Sequence, residues 1–138
     1  IKCAIENYTP SNSRSQLINK GSNRFIMDAY NANPSSMKLA IENFANLKSE
    51  KKVLLLGAMA ELGEESLTEH EAVVKLIQSK NWEKVVLVGG DFLKLAHPYL
   101  SFTNAQEAKT WLQNQKFEKT DFLVKGSRSM QMEKIITE

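Results

Sequence analysis

Four short, uninterrupted apolar runs limit most strongly what this chain can fold into. They occupy residues 25–27, 53–56, 85–88 and 122–124, so each begins about 30 residues after the previous one, the usual length of a βαβ unit. Runs this short are typical of strands that are buried on both faces. The spacing therefore predicts a mostly parallel sheet with helices between its strands.

Helical patterns of apolar residues fill the gaps between these runs, and each begins with a polar capping signal. The signals are Asn33 before Pro34, Ser66 with Glu69, and Asn104 with Glu107. A last helix is expected to carry Met132, Ile135 and Ile136. The alternation of strands and helices predicts an α/β fold, a doubly wound three-layer sandwich.

The first 30 residues depart from this rhythm. Residues 16–20 and 23–29 have strand-like patterns and are separated by Gly21 and Ser22, a pair suited to a tight turn. We expect a hairpin that adds an antiparallel edge to the sheet.

Length and composition exclude several classes of protein. A chain of 138 residues with 42% hydrophobic and 25% charged residues is ordinary for one globular domain. Its charge of +2 is too balanced for electrostatic binding of nucleic acid. No apolar run approaches the roughly 18 residues of a membrane helix. The only cysteine, Cys3, excludes an internal disulfide and favours a reducing, cytoplasmic location. Because Ile1 is not a methionine, we expect the natural chain to begin upstream.

A polar segment follows the first apolar run, where ligands bind in doubly wound sheets. It spans residues 28–34 and includes Asp28, Tyr30, Asn31 and Asn33. A carboxylate there can accept two ribose hydroxyls, and Asn31 can donate and accept at a base or phosphate. The alternative is that Asn33 only caps a helix and Asp28 only ends a strand.

A basic segment follows the last run, where Lys125, Ser127 and Arg128 surround Gly126. Two cations and a hydroxyl before a helix N-terminus suit an anionic ligand. The alternative is a solvated basic turn in which Ser127 or Ser129 caps the helix.

Other positions carry weaker signals. The loop of residues 57–63 is longer than a connection needs, and its Glu61 is either functional or simply solvated. Arg14 could reach a phosphate. His70 falls on the apolar stripe of its helix, so we interpret it as a packed or capping histidine rather than an acid–base group. We expect no catalytic residue and no metal site in this chain.

Together these motifs resemble the C-terminal domain of the Mur ligases. The matching strings are Tyr-Asn-Ala-Asn-Pro after Asp28, Gly57-x-Met59-x-Glu61-Leu62-Gly63 with His70, and Lys125-Gly126-Ser127-Arg128-Ser129 with Met132-Glu133. The resemblance spans nearly the whole chain. It implies a Rossmann-like three-layer sandwich with a mostly parallel sheet and an N-terminal hairpin or antiparallel edge.

The resemblance also implies ATP-dependent amide formation in the synthesis of peptidoglycan precursors for the cell wall. Such a ligase joins D-alanyl-D-alanine to UDP-N-acetylmuramoyl-tripeptide through an acyl phosphate. Residues 1–138 would be its C-terminal domain, which closes onto a central ATPase domain that holds most of the Mg²⁺ ligands. A phosphate-cradling Gly-x-x-x-x-Gly-Lys-Ser/Thr loop is missing from the sequence, so we expect this chain to be inactive alone.

The family's site residues can be carried over one by one. By resemblance, Arg14 would reach the ATP phosphates and Asp28 the nucleotide ribose. The other nucleotide contacts would come from Tyr30, Asn31 and Asn33. The contacts to the dipeptide carboxylate or the reacting phosphate would come from Lys125, Ser127 and Arg128. The dipeptide pocket would be shaped by Glu61 and Leu62.

Three positions depart from the family pattern. Ser13 replaces a usual glycine, Ala29 a serine, and Ala58 an aspartate, which puts a polar role at position 58 in doubt. Two alternatives stay open: a Mur-superfamily ligase with another acceptor, such as a folate-type compound or an amino-acid polymer, and a free-standing nucleotide- or anion-binding α/β module. The Tyr-Asn-Ala-Asn-Pro string argues against the first. The lack of clustered acidic residues after the first strand argues against a receiver-like regulator.

Overall fold

The computed structural model describes residues 16–28, 33–49, 51–60, 62–127 and 130–135. The strands are β1 Gln16–Lys20, β2 Asn23–Asp28, β3 Lys52–Gly57, β4 Lys84–Val88, β5 Leu100–Phe102 and β6 Asp121–Lys125. They form one six-stranded sheet in the order β1-β2-β6-β3-β4-β5. The β1–β2 pair is antiparallel and the other neighbouring pairs are parallel. The predicted parallel sheet and its hairpin edge are therefore confirmed.

Helices cover both faces of the sheet. The α-helices in the described part of the chain are α1 Pro34–Ala45, α2 Ser66–Gln78 and α3 Ala105–Gln113. Short 3-10 helices lie at Gly63–Glu65, Gly90–Lys94 and Met132–Ile135. The core residues of α1 and α2 pack on one face, and those of α3 and the last 3-10 helix pack on the other. The predicted three-layer sandwich is confirmed.

The interior of β3 explains why the apolar runs are uninterrupted. Leu54 and Leu56 pack with α1 and α2, whereas Val53 and Leu55 pack on the α3 side. None of the four has any exposed surface. Because successive side chains of a strand point to opposite faces, a strand between two helical layers is apolar at every position.

Two predicted helix starts are confirmed by hydrogen bonds. The side-chain oxygen of Asn33 accepts from the Ser36 N–H at 2.9 Å, just before α1. The side-chain oxygen of Asn104 accepts from the Glu107 N–H, also at 2.9 Å, just before α3. These bonds satisfy N–H groups that have no partner within the helix.

The third predicted helix, α2, begins at Ser66 as expected, but the predicted capping role of Ser66 is wrong. The 3-10 helix Gly63–Glu65 runs directly into α2, and Ser66 has helical backbone angles, φ −54° and ψ −50°. A capping residue needs an extended backbone, so Ser66 cannot cap α2. Its hydroxyl lies instead 3.3 Å from Nδ1 of His70, one turn further along the helix.

Two further expectations need correction. The short edge strand β5 was not predicted, because its three residues include an exposed Leu100 and show no apolar run. The last predicted helix is a 3-10 helix within residues 132–135, although Met132 and Ile135 are buried as expected. Ile136 and Ala29, which we placed in a helix and a strand, lie outside the described residues.

Candidate functional site

The carboxyl ends of β2, β3, β4 and β6 meet at one edge of the sheet, which we name the carboxyl edge. The parallel register pairs Lys125 with Asp28 on one side and with Leu56 on the other. It also pairs Gly57 with Val88. The ends of these strands therefore lie side by side, as expected for a parallel sheet.

Backbone hydrogen bonds continue past the strand ends and hold these segments together. The Ser127 N–H donates to the Ala58 carbonyl at 3.1 Å, and the Ala58 N–H donates to the Val88 carbonyl at 2.9 Å. The Gly89 N–H donates to the Phe102 carbonyl at 2.8 Å. The first residues after β3, β4 and β6 thus continue the hydrogen bonding of the sheet.

Close backbone packing forms the floor of the carboxyl edge. A Cβ atom built on Gly126 would lie 2.9 Å from Cα of Gly57 and 2.7 Å from Cγ of Met132. A Cβ on Gly57 would lie 2.7 Å from the Met132 sulfur. Since real Cβ atoms do not approach so closely, only glycine lets the chain after β6 pass the end of β3. Met132 is completely buried by this packing.

The structure buries the described part of the basic segment. Lys125 has no exposed surface, and Ser127 is 3% exposed. The alternative of a solvated basic turn is therefore wrong for these two residues. Because an ammonium group withdrawn from water needs polar partners, we expect the Lys125 ammonium to be bonded inside the protein.

Two other predicted site residues are described. Asn33 is exposed, and its side chain and backbone form a reciprocal capping box with Ser36, in which the Ser36 hydroxyl accepts from the Asn33 N–H at 3.0 Å. The capping interpretation of Asn33 is thus confirmed. Leu62 is partly buried and packs against the core formed with α1 and α2.

The other predicted site residues lie outside the described residues. They are Arg14, Tyr30, Asn31, Glu61 and Arg128. Asp28 ends β2, but its side chain also lies outside the described part.

His70 on α2 joins the segment after β3 to the helix. Its Nε2 accepts a hydrogen bond from the Met59 N–H at 2.9 Å. Nδ1 must therefore carry the proton, and it donates to the Ser66 carbonyl at 2.6 Å. The ring is completely buried and meets Phe92 edge-on at 4.7 Å between centroids. Both ring nitrogens are hydrogen-bonded, so the predicted role of His70 as a packed residue is confirmed.

A charged cluster lies beside this histidine, on the 3-10 helix after β4. The Ser66 hydroxyl donates to the Asp91 carboxylate, and this bond, together with a bond from Lys94, holds the pKa of Asp91 below its usual value. The Lys94 ammonium is 3.2 Å from the Asp91 carboxylate. Ser66, His70 and Asp91 do not form a catalytic triad, because the Nε2 lone pair of His70 is already bonded to Met59.

Sequence reasoning missed the bond between His70 and Met59. The available signal was the Ser66–His70 spacing of one helical turn, next to the loop of residues 57–63. In the described ranges, no group of three or more His, Cys, Asp or Glu side chains is arranged to hold a metal ion. None of the described helices is long and apolar enough to cross a bilayer.

Comparison with known proteins shows relatives over nearly the whole chain. The family model "Mur ligase, glutamate ligase domain" matches residues 13–128. A UDP-N-acetylmuramoyl-tripeptide–D-alanyl-D-alanine ligase from Rickettsia prowazekii is 35% identical over 131 residues, which are 89% of this chain and 29% of that ligase. The same enzyme from Treponema pallidum is 31% identical over 98% of this chain and 31% of its own length.

Solved structures agree with the sequence relatives. MurF from Acinetobacter baumannii superimposes with a TM-score of 0.76 at 30% identity, covering 95% of this chain and 30% of that protein. MurF ligase from Thermotoga maritima, solved in complex with ADP, has the same fold, with a TM-score of 0.74 at 22% identity over 87% of this chain and 28% of that protein. The chain thus spans less than a third of the length of these relatives, and it belongs to the Mur ligase family as its C-terminal, glutamate ligase domain.

Proposed function

We propose that this chain is the C-terminal domain of an ATP-dependent ligase that joins D-alanyl-D-alanine to UDP-N-acetylmuramoyl-tripeptide. The observation that carries the proposal is that the strands preceding the three motif segments end side by side at the carboxyl edge, within a chain whose relatives bear that name over 89% and 98% of its length. The rest of the longer protein would supply a UDP-binding domain and a central ATPase domain.

The reaction proceeds in two steps. The terminal carboxylate of the tripeptide takes the γ-phosphoryl group of ATP, which forms an acyl phosphate and releases ADP. The free amine of D-alanyl-D-alanine then attacks the acyl carbon, loses a proton, and expels phosphate as the amide bond forms. Positioning of the three reactants and neutralisation of phosphate charge supply most of the catalysis in phosphoryl transfer.

The nucleotide contacts are assigned to the segments before β1 and after β2. Arg14 is proposed to bind the ATP phosphates and Asp28 the ribose hydroxyls, because a guanidinium matches phosphate and a carboxylate accepts from two hydroxyls. The other proposed nucleotide contacts are Tyr30, Asn31 and Asn33. The oxygen of the Asn33 side chain is bonded to Ser36, which leaves its amide nitrogen as the group that would face a ligand.

The dipeptide contacts are assigned to the segments after β3 and β6. Ser127 and Arg128 are proposed to bind the dipeptide carboxylate or the reacting phosphate. Lys125 is proposed to attract the same anions through its positive charge, which lies inside the protein because the side chain is covered in this structure. Glu61 and Leu62 would shape the pocket, and the partly buried Leu62 gives that wall a fixed base.

Mg²⁺ is needed to shield the phosphates of ATP. We propose that its ligands lie mainly in the central domain. This chain would contribute nucleotide and dipeptide contacts by closing onto that domain, and it would be inactive alone.

The test is a ligation assay on the full-length protein that contains this chain. It should release ADP and form the pentapeptide product with D-alanyl-D-alanine, and it should use single amino acids poorly. Asp28→Ala and Lys125→Ala should each depress kcat/KM at least tenfold, while Lys75→Ala, an exposed lysine of α2, serves as the matched control. A full-length protein that ligates another acceptor, or no acceptor, would contradict the proposal.

A further inference from the structure

The segment after β3 is held at two successive residues before it reaches the proposed dipeptide pocket. Ala58 is bonded on both sides by the backbone, to Val88 and to Ser127. Met59 follows, and its N–H is bonded to Nε2 of His70. Ala58 is thus fixed by the sheet, whereas Met59 is fixed by a side chain from another element.

The imidazole of His70 is built to present one acceptor in one direction. Its Nδ1–H bond to the Ser66 carbonyl, 2.6 Å long, sets both the tautomer and the ring plane. The edge contact with the completely buried Phe92 blocks rotation of the ring. A helical scaffold and a packed ring therefore hold the Nε2 lone pair rigidly toward Met59.

A second contact ties the same helix start to the turn after β4. The Ser66 hydroxyl donates to Asp91, which is also 3.2 Å from Lys94. Because Ser66 bonds to Asp91 through its hydroxyl and to His70 through its carbonyl, the segment after β3, the start of α2 and the turn after β4 form one connected unit.

We infer that His70, as its Nδ1–H tautomer, is a positioning residue for the acceptor-amine site: it fixes the backbone at Met59 and thereby holds Leu62, three residues further along the chain, in place for the dipeptide. This inference rests on the proposed function. His70 does not touch the reacting atoms, and its effect passes entirely through the Met59 hydrogen bond. It should therefore govern binding of the dipeptide and leave binding of ATP unchanged.

Two substitutions distinguish the role of the Nε2 acceptor from the role of the rest of the His70 ring. The side-chain amide of His70→Gln can place an oxygen near the position of Nε2, so it can still accept from Met59. The shorter amide of His70→Asn reaches only the position of Nδ1, so it keeps a bond to Ser66 and loses the one to Met59. Val74→Ala is the matched control, because this buried residue of the same helix packs in the core and weakens it without touching the segment after β3.

The experiment measures steady-state kinetics and hydrogen exchange on the full-length protein. His70→Asn should raise KM for D-alanyl-D-alanine about fivefold to tenfold, the equilibrium factor that corresponds to one lost hydrogen bond, with KM for ATP unchanged. His70→Gln should stay within about twofold of the parent, as expected when the bond is kept. Peptides that cover residues 58–62 should exchange faster in His70→Asn only, and Val74→Ala should lower the melting temperature without changing either KM.

Two results would overturn the inference. One is a His70→Asn enzyme with parental KM for the dipeptide and parental exchange at residues 58–62. The other is a His70→Gln enzyme that matches His70→Asn in both, which would make the acceptor irrelevant. Failure of the proposed function looks different, because the parent protein itself would then not ligate the dipeptide, whereas the exchange measurement needs no activity.

Discussion

Arg24 on β2 donates two hydrogen bonds to the carboxylate of Asp121 on β6. Nε lies 2.7 Å from Oδ1 and Nη2 lies 2.8 Å from Oδ2. The Asp121 side chain is only 3% exposed and that of Arg24 16% exposed. The pair lies at the amino ends of the strands, at the opposite edge of the sheet from the candidate site. It joins the hairpin to the central strands at a place where a lone carboxylate would be costly.

Asp121→Asn should therefore destabilise the fold by about 3 kcal/mol, because it leaves a largely buried guanidinium without its counter-charge. Urea unfolding followed by circular dichroism measures the change. Glu71→Gln removes the exposed pair with Lys75, in which the side chains are 55% and 72% exposed, and should cost less than about 0.5 kcal/mol. Equal effects of the two substitutions would contradict the importance of the buried pair.

Gly126→Ala should destabilise by about 3 kcal/mol, since its new methyl group would meet the Gly57 backbone as well as Met132. Gly21→Ala is the comparison, because a Cβ there meets nothing within 4 Å and only the backbone angle, φ +61°, is unfavourable. That strain costs about 1 kcal/mol. Thermal unfolding should give Gly126→Ala a clearly lower melting temperature than Gly21→Ala. The reverse order of melting temperatures would refute the close packing at the carboxyl edge.

Asn33→Ala should cost about 1 kcal/mol of stability through loss of the cap on α1, and Asn33→Ser should cost little because serine caps as well. Asn104→Ala, which removes the cap of α3, should cost a similar amount and serves as the control.

Kinetics of the full-length protein then test the proposed nucleotide contact. If the amide of Asn33 binds nucleotide, Asn33→Ser raises KM for ATP while the melting temperature stays the same; Asn104→Ala leaves KM for ATP unchanged.

Ser66→Ala should raise the pKa of Asp91 toward its usual value of 3.8, because the hydroxyl bond is the largest cause of its lowered pKa. Lys94→Ala should raise that pKa less. A carboxyl with a lowered pKa in the folded state contributes stability that is fully present above pH 3.8 and is lost as the pH falls through the lowered value. NMR titration of the Asp91 carboxyl carbon measures both variants, and an unchanged pKa in Ser66→Ala would show that the hydroxyl does not bond to it.

Most of the fold was predictable because its signals are local. Buried parallel strands have continuous apolar runs in the sequence. Asn33 and Asn104 indicate helix starts because their capping bonds join residues only three positions apart. The three-residue β5 has neither kind of signal. Ser66 is the exception: its capping signal is local too, but the 3-10 helix ahead of it gives its backbone helical angles.

The motif segments of the candidate site were also recognisable, but their relationships were not. Residues Lys125 and Asp28 are 97 positions apart, and they become neighbours only because β6 is inserted between β2 and β3. The complete burial of Lys125 follows from the same insertion, since a central strand is covered on both faces.

The amino-acid sequence by itself thus determined the five longer strands, the three α-helices and the membership of the Mur ligase family, because periodicity, capping and motif order depend on residues that are close together in the chain. Only the tertiary structure decided that His70 bonds to Met59, that Gly126 must pass against Gly57, and that Lys125 leaves the solvent. These contacts depend on strand order and register, which arise when distant segments bury their apolar faces together.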